Sequence, residues 1–100
     1  SSEKYESGNK AIREIDTFDG VIIPGGFGER GAEDKIRVVE HCRKKGVPIL
    51  GLCYGLQLMV TEFARNVAKM KGANSTEINP KTKYPVIDVM NEQKDFLKER

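Results

Sequence analysis

Cys53 lies at a predicted strand-to-helix turn between Gly51 and Gly55, and this short segment constrains the fold more than any other. The apolar run 47–50 precedes it, and apolar residues at helical spacing follow it over 56–67. This is the sequence context of a nucleophile elbow, a sharp bend that exposes one side chain between a buried strand and a helix. Unpaired N–H groups of the first helical turn stabilise a thiolate there. We expect the small glycines to let a substrate approach the sulfur closely.

The alternative for Cys53 is a buried structural cysteine, because free cysteine is among the most buried residue types. The pattern around the turn favours the nucleophile. The second cysteine, Cys42, falls on a different predicted element, and the two lack a metal-ligand spacing such as C-x-x-C. We therefore predict no metal site and a reducing, cytoplasmic setting.

The alternation of apolar strands and amphipathic helices predicts an α/β fold with an open, mostly parallel sheet and flanking helices. The predicted elements are strands at 21–23, 47–52 and 86–90 and helices at 33–45, 54–71 and from residue 92 onward. Gly46 is predicted to cap the first helix, Gly72 to end the second and Asn91 to begin the third. Residues 74–77 are predicted to form an irregular polar loop.

The composition limits the classes of protein that the chain can represent. One hundred residues form at most one small domain, which we place at 19–100 after a poorly patterned lead segment, 1–18, expected to be mobile or peripherally packed. The net charge of +2, without a basic run interleaved with aromatics, argues against nucleic-acid binding. No apolar stretch reaches the length of a membrane span, and no signal peptide opens the sequence.

A cysteine nucleophile that attacks an acyl carbon needs two N–H donors for the oxyanion. The backbone N–H of Tyr54, directly after the nucleophile, is one candidate. The N–H of Gly26 is the other, because the loop that contains it follows the neighbouring parallel strand and lies at the same edge of the sheet. We expect glycine there to allow unusual backbone angles, whereas the alternative is that Gly25 and Gly26 form a simple tight turn.

Three further polar residues are candidates for a role at this site. The only histidine, His41, falls in the middle of the first predicted helix, so we interpret it as a packing or surface residue rather than a general base. Gln57 lies one turn into the second helix and either faces the site or is an ordinary surface residue. Glu77 either holds the ammonium group of an amino-acid substrate or is a solvated loop acid.

These motifs resemble class I (triad-type) glutamine amidotransferases, and several further stretches narrow the resemblance to the CTP synthase family. The stretches that carry the resemblance are residues 24–31, 51–57, 62–67, 73–77, 85–88 and 92–94. It implies a flavodoxin-like fold in which Cys53 attacks the side-chain amide of L-glutamine and forms a glutamyl thioester. Gly26 and Tyr54 would supply the oxyanion hole. The residues implied to line the glutamine pocket are Gly26, Tyr54, Gly55, Leu56, Gln57 and Glu77.

The resemblance also implies partners outside these 100 residues. Ammonia would pass to a synthetase domain of the same parent chain, which converts UTP to CTP using ATP and magnesium. GTP would be an allosteric activator, and the assembled enzyme would be a homotetramer. No cofactor is implied for the segment itself.

Many relatives have Leu where this chain has Tyr54. The family's triad His and Glu come later in the domain, so we expect an internal fragment that is inactive alone. The alternatives are another class I amidotransferase, for example one serving carbamoyl phosphate or imidazole glycerol phosphate synthesis, and a non-catalytic regulatory α/β module.

Overall fold

The computed structural model describes residues 14–26 and 31–90. Its elements in chain order are β1 (Val21–Ile23), α1 (Ala32–Lys45), β2 (Ile49–Gly51), α2 (Tyr54–Asn66), β3 (Asn74–Ser75) and β4 (Pro85–Ile87). Within these ranges no helix combines the length and the apolar character that crossing a membrane requires. The predicted α/β class with parallel strands is confirmed.

Strands β1 and β2 pair in parallel, with Val21 opposite Ile49 and Ile22 opposite Leu50, and α1 makes the crossover between them. The apolar core lies where this sheet meets α1 and α2, and it includes Ile23, Ile36 and Leu58. Ile22 and Leu50 are 61% and 54% exposed because alternate side chains of a strand point to opposite faces. The carboxyl ends of both strands lead directly into the loops that form the candidate site.

The helix α1 follows the sequence prediction closely. It ends at Lys45, and Gly46 caps it in the left-handed conformation with φ 73°, donating its N–H to the carbonyl of Cys42. Basic residues occupy its last turn and acidic ones its first, which suits the helix dipole. The predicted C-terminal cap at Gly46 is therefore confirmed.

The helix α2 is shorter than predicted. It ends at Asn66 rather than near Lys71, since the chain turns back through Lys69 at φ 61° and Met70 donates its N–H to Ala64 at 2.9 Å. Arg65 then fixes the returning segment, because its Nε donates to the carbonyl of Ala73 at 2.5 Å. A long-range contact thus ends this helix before Gly72.

A second parallel pair, β3 with β4, follows α2. The prediction that residues 74–77 are wholly irregular was wrong, since Asn74 and Ser75 form β3 and are 6% and 3% exposed. The strand predicted at 86–90 exists but covers Pro85–Ile87. The helix predicted from residue 92 lies outside the described residues.

One residue of the predicted lead segment belongs to the core. Ile15 is completely buried and packs in the same cluster as Ile36 and Leu58. The expectation of peripheral packing was therefore wrong at Ile15. Its side chain is buried in the core, although the sequence around it shows little periodicity. Residues 1–13 lie outside the described ranges.

A buried ion pair fastens α1 to α2. Glu62, 1% exposed, accepts from Nε and Nη2 of Arg43, each at 2.9 Å, and from Nδ2 of Asn66 at 2.9 Å. Burial pushes the pKa of Glu62 upward, but hydrogen bonds from Arg43 and Asn66 and the positive charges of Arg43 and Lys44 outweigh it, so the pKa lies below its ordinary value. The helix α2, which follows Cys53, is thereby held against α1.

Candidate active site

Cys53 occupies the bend between β2 and α2 in a backbone conformation that residues other than glycine seldom adopt. Its φ is 52° and its ψ is −108°, and its side chain is exposed. The N–H of Leu52 binds the carbonyl of Ile23 at 2.9 Å, and the carbonyl of Cys53 accepts the N–H of Gln57 at 3.1 Å. Such a conformation costs about 1–3 kcal/mol and persists only where the surroundings enforce it. The predicted sharp elbow is therefore present.

The two glycines that flank Cys53 are needed for close packing of the chain on itself. A Cβ on Gly55 would lie 2.1 Å from the carbonyl oxygen of Ile23, and one on Gly51 would lie 2.5 Å from Sδ of Met59 and 2.7 Å from the backbone nitrogen of Leu56. Neither glycine has a positive φ. The expectation that they open the approach of a substrate is thus replaced by a steric one: they let α2 start directly against β1.

The loop after β1 lies beside the elbow, as the parallel arrangement predicts. A Cβ built on Gly25 would be 3.8 Å from Cβ of Cys53, and one on Gly26 would be 3.6 Å from Cδ2 of Tyr54. Gly25 and Gly26 do not have positive φ, so the unusual backbone angles expected there are not found. Their lack of side chains instead leaves the space next to the sulfur open.

A cavity of about 510 Å³ opens between these segments. It is lined by Gly25, Gly26, Cys53, Tyr54, Gln57 and Glu77. The structure thus brings together the predicted nucleophile, both predicted oxyanion-hole residues and two of the predicted polar binding residues. A carboxylate, an amide and a thiol that share one cavity suit an amino-acid substrate with a reactive side-chain carbonyl.

Two predicted pocket residues are not among those that line this cavity, and their role in binding glutamine stays a prediction. Gly55 is buried against the backbone of Ile23, and Leu56, 54% exposed, lines a separate apolar groove with Val60 and Phe63. Gly25 lines the cavity, although the sequence placed it only in the turn. Its position directly before Gly26, a predicted oxyanion donor, is the sequence feature from which this could have been predicted.

The ring of Tyr54 belongs to the core. Tyr54 is 3% exposed, and Nζ of Lys35 lies 5.8 Å from the centroid of its ring. The side chain at this position therefore contributes to packing under the elbow, and the role of the Tyr54 N–H as an oxyanion donor stays a prediction.

His41 lies on α1 and does not line the cavity. Its Nε2 is 2.7 Å from Oδ1 of Asp16. Over residues 14–26 and 31–90 no cluster of three or more His, Cys, Asp or Glu side chains could hold a metal ion. The described part of the site therefore supplies a nucleophile and candidate donors but no imidazole base.

The two thiols differ sharply in environment. Cys42 is fully buried, and burial together with the negative charge of Asp16 raises its pKa. Cys53 is exposed at the mouth of the cavity. Because the thiolate is the reactive form, Cys42 provides an internal reference thiol of low reactivity.

An α/β fold whose strand-to-helix elbow places an exposed cysteine at a cavity is typical of enzymes that attack acyl groups, and the comparisons identify the family to which the chain belongs. The family Glutamine amidotransferase class-I matches residues 3–97. The chain belongs to this family.

The chain is also similar to several CTP synthases. The chain is 54% identical to the CTP synthase of Pyrococcus horikoshii over 93% of its length and 58% identical to that of Thermotoga maritima over 84%. It spans only 17% and 16% of those two proteins. A solved structure of the Trypanosoma brucei CTP synthase glutaminase domain with bound acivicin superposes with a TM-score of 0.83 at 34% identity, covering 91% of this chain and 35% of that one.

Proposed function

We propose that this chain forms the nucleophile-bearing part of a glutaminase site, in which Cys53 hydrolyses the side-chain amide of L-glutamine. The observation that carries the proposal is the exposed thiol of Cys53, at φ 52°, facing a cavity that Glu77 and Gly26 also line. Glu77 offers a carboxylate to the α-ammonium group of the substrate. The N–H groups of Gly26 and Tyr54 stabilise the oxyanion that develops on the amide oxygen.

The reaction proceeds in two steps. The thiolate of Cys53 attacks the amide carbon, the C–N bond breaks, and ammonia leaves after its nitrogen receives a proton. Water then attacks the resulting thioester and releases glutamate and the free thiol. The proton transfers require a base beyond the residues that line the described cavity, so we expect the 100-residue chain alone to show no useful turnover.

The ammonia serves a second reaction in the parent protein. Similarity to CTP synthases, of which the chain spans about a sixth, supports a separate synthetase domain that uses ATP and magnesium to aminate UTP. ATP, magnesium and UTP belong to that domain, and no cofactor is assigned to this chain. A homotetramer, activation by GTP and a cytoplasmic location complete the proposal.

Covalent labelling of the full-length protein tests the glutaminase proposal. Acivicin, the compound bound in the trypanosomal structure, is the electrophile to use. We expect it to modify Cys53 selectively and L-glutamine to slow the modification. Peptide mass spectrometry locates the adduct. Cys53→Ser should abolish it, and Cys42→Ala, the matched control at the buried thiol, should leave it unchanged.

Two outcomes would contradict the proposal. Equal rates of modification at Cys42 and Cys53 would show that the elbow thiol has no special reactivity. Labelling of Cys53 that glutamine does not slow would show that the cavity does not bind the substrate, as expected for a non-catalytic module.

A further inference from the structure

Glu77 reaches the cavity from a different part of the chain than its other described lining residues. Those belong to the turn after β1 or to the elbow and α2, whereas Glu77 follows β3. A neighbouring cavity of about 300 Å³ shares Glu77 and Gln57 with the first. Glu77 is exposed and lines both cavities. The course of its backbone sets the point from which its carboxylate reaches a ligand.

Ser75 fixes the backbone of Glu77 from within. It is 3% exposed, and its Oγ accepts the N–H of Glu77 at 3.1 Å. Its carbonyl accepts the N–H groups of Ile78 at 3.1 Å and Asn79 at 2.9 Å. Hydroxyl bonds of this kind define tight turns and limit the conformations of the residues that they span.

Thr76 ties the same turn to β4. Its N–H donates to the carbonyl of Ile87 at 3.0 Å, and its Oγ1 lies 2.8 Å from Oδ1 of Asp88. The same oxygen of Asp88 accepts the N–H of Val89 at 2.7 Å. The residue directly before Glu77 is thus held by both its backbone and its side chain.

We infer that the Thr76–Asp88 hydrogen bond positions Glu77 for recognition of the substrate's α-ammonium group. This inference rests on the proposed glutaminase function. Thr76 and Asp88 are positioning residues: they act through the backbone of Glu77 and contact no reacting atom. A carboxylate recognises an ammonium group at short range, so a shift of the turn weakens substrate binding while Cys53 and its donors stay in place.

Steady-state kinetics of the full-length protein tests the inference, with glutamine or free ammonia as the nitrogen source. Thr76→Val removes the hydroxyl and keeps the branched shape. We expect the KM for glutamine to rise about 5-fold, which corresponds to about 1 kcal/mol, with kcat for glutamine and the ammonia-dependent rate unchanged. Thr82→Val is the matched control, since its Oγ1 donates at 2.7 Å to the carbonyl of Gly72 and accepts the N–H of Tyr84 at 3.3 Å instead of bonding to Asp88.

Asp88 variants separate positioning from direct charge recognition. Asp88→Asn keeps an acceptor oxygen for Thr76 and should retain a nearly normal KM, whereas Asp88→Ala should raise the KM at least as much as Thr76→Val, because it also removes the acceptor of the Val89 N–H. The double variant Thr76→Val/Asp88→Ala should be no worse than Asp88→Ala alone, because both substitutions remove the same Thr76–Asp88 bond. An Asp88→Asn variant as impaired as Asp88→Ala would overturn the inference.

The remaining outcomes are equally decisive. An unchanged KM in Thr76→Val, or an equal rise in Thr82→Val, would refute positioning by this bond. Loss of the ammonia-dependent rate in Thr76→Val would show a general structural defect and would also refute it. Failure of the underlying function would look different: Cys53→Ala would then retain glutamine-dependent activity.

Discussion

Replacing Glu62 by Gln should destabilise the fold strongly, because the structure leaves this side chain no alternative to its present partners. Gln keeps the volume and one acceptor oxygen but turns an NH2 group toward donors of Arg43 or Asn66. At least one charge-assisted hydrogen bond is lost inside the protein, worth about 1.5–3 kcal/mol. Arg43 is 33% exposed and can turn to water, which keeps the loss well below that of a fully buried pair. We expect the free energy of unfolding to fall by about 2 kcal/mol.

The chain contains a matched control for burial. Glu33 also accepts two hydrogen bonds from one arginine, from Nη1 and Nη2 of Arg65 at 2.8 and 3.1 Å, but it is 65% exposed. Exposed pairs contribute about 1 kcal/mol at most, so Glu33→Gln should have a small effect. With a urea slope of about 2 kcal/mol per M, the midpoint should fall by about 1 M for Glu62→Gln and by about 0.5 M or less for Glu33→Gln.

Urea denaturation followed by circular dichroism at neutral pH measures both midpoints, with the slope checked for each variant. Equal shifts for Glu62→Gln and Glu33→Gln would refute the reasoning, because burial would then not determine the value of the pair. An increase in stability for Glu62→Gln would refute it as well, since it would mean that desolvation of the carboxylate outweighs its hydrogen bonds.

Two further predictions concern the same measurement. Because the pKa of Glu62 is lowered in the folded protein, its contribution to stability is fully present above the unfolded-state pKa and is lost as pH falls through the folded-state pKa. The urea midpoint of the unsubstituted protein should therefore decrease as the pH is lowered below about 5, and the midpoint of Glu62→Gln should decrease less. Parallel curves of midpoint against pH for the two proteins would contradict this. Gly55→Ala should lower the free energy of unfolding by about 3 kcal/mol, because the new Cβ would lie 2.1 Å from the carbonyl oxygen of Ile23. Gly46→Ala should lower it by about 1 kcal/mol, because the Cβ there has open space around it and only the positive φ is strained. The reverse order of the two effects would contradict the steric account.

The features that the sequence predicted well are those set by neighbouring residues. The elbow at Cys53 follows from a buried strand, two glycines and an amphipathic helix that are contiguous in the chain. The cap at Gly46 likewise depends on one residue and the helix before it. The meeting of Gly26 with Tyr54 was also predictable, because parallel strands bring their carboxyl ends to one edge.

The features that the sequence missed depend on distant contacts. Asn74 and Ser75 are polar, yet they form a buried strand because Asn74 donates its N–H to the carbonyl of Tyr84 and Thr76 donates its N–H to the carbonyl of Ile87. The turn that ends α2 early is supported by Arg65, whose side chain binds the carbonyl of Ala73. No local pattern encodes pairing across such separations.

In the candidate site, too, the features set by neighbouring residues were predicted and those set by tertiary contacts were missed. Helical spacing could not tell which residues after the elbow face the cavity: Gln57 lines it, whereas Leu56 lines the apolar groove. A helix places successive side chains about 100° apart, so the answer depends on how α2 is rotated against β1. That rotation is fixed by the contact of Gly55 with Ile23.

The strained conformation at the elbow belongs to the cysteine and not to the glycines beside it. Gly51 and Gly55 are required because any Cβ would collide with Met59 or Ile23. Close packing of α2 on β1 therefore forces the bend into one residue, and Cys53 adopts φ 52° as a result. The strain of about 1–3 kcal/mol is balanced by that packing. The geometry of the thiol thus depends on contacts of Gly51 and Gly55 with Met59 and Ile23, residues that do not line the cavity at Cys53, so substitutions of these residues should alter the reactivity of the thiol.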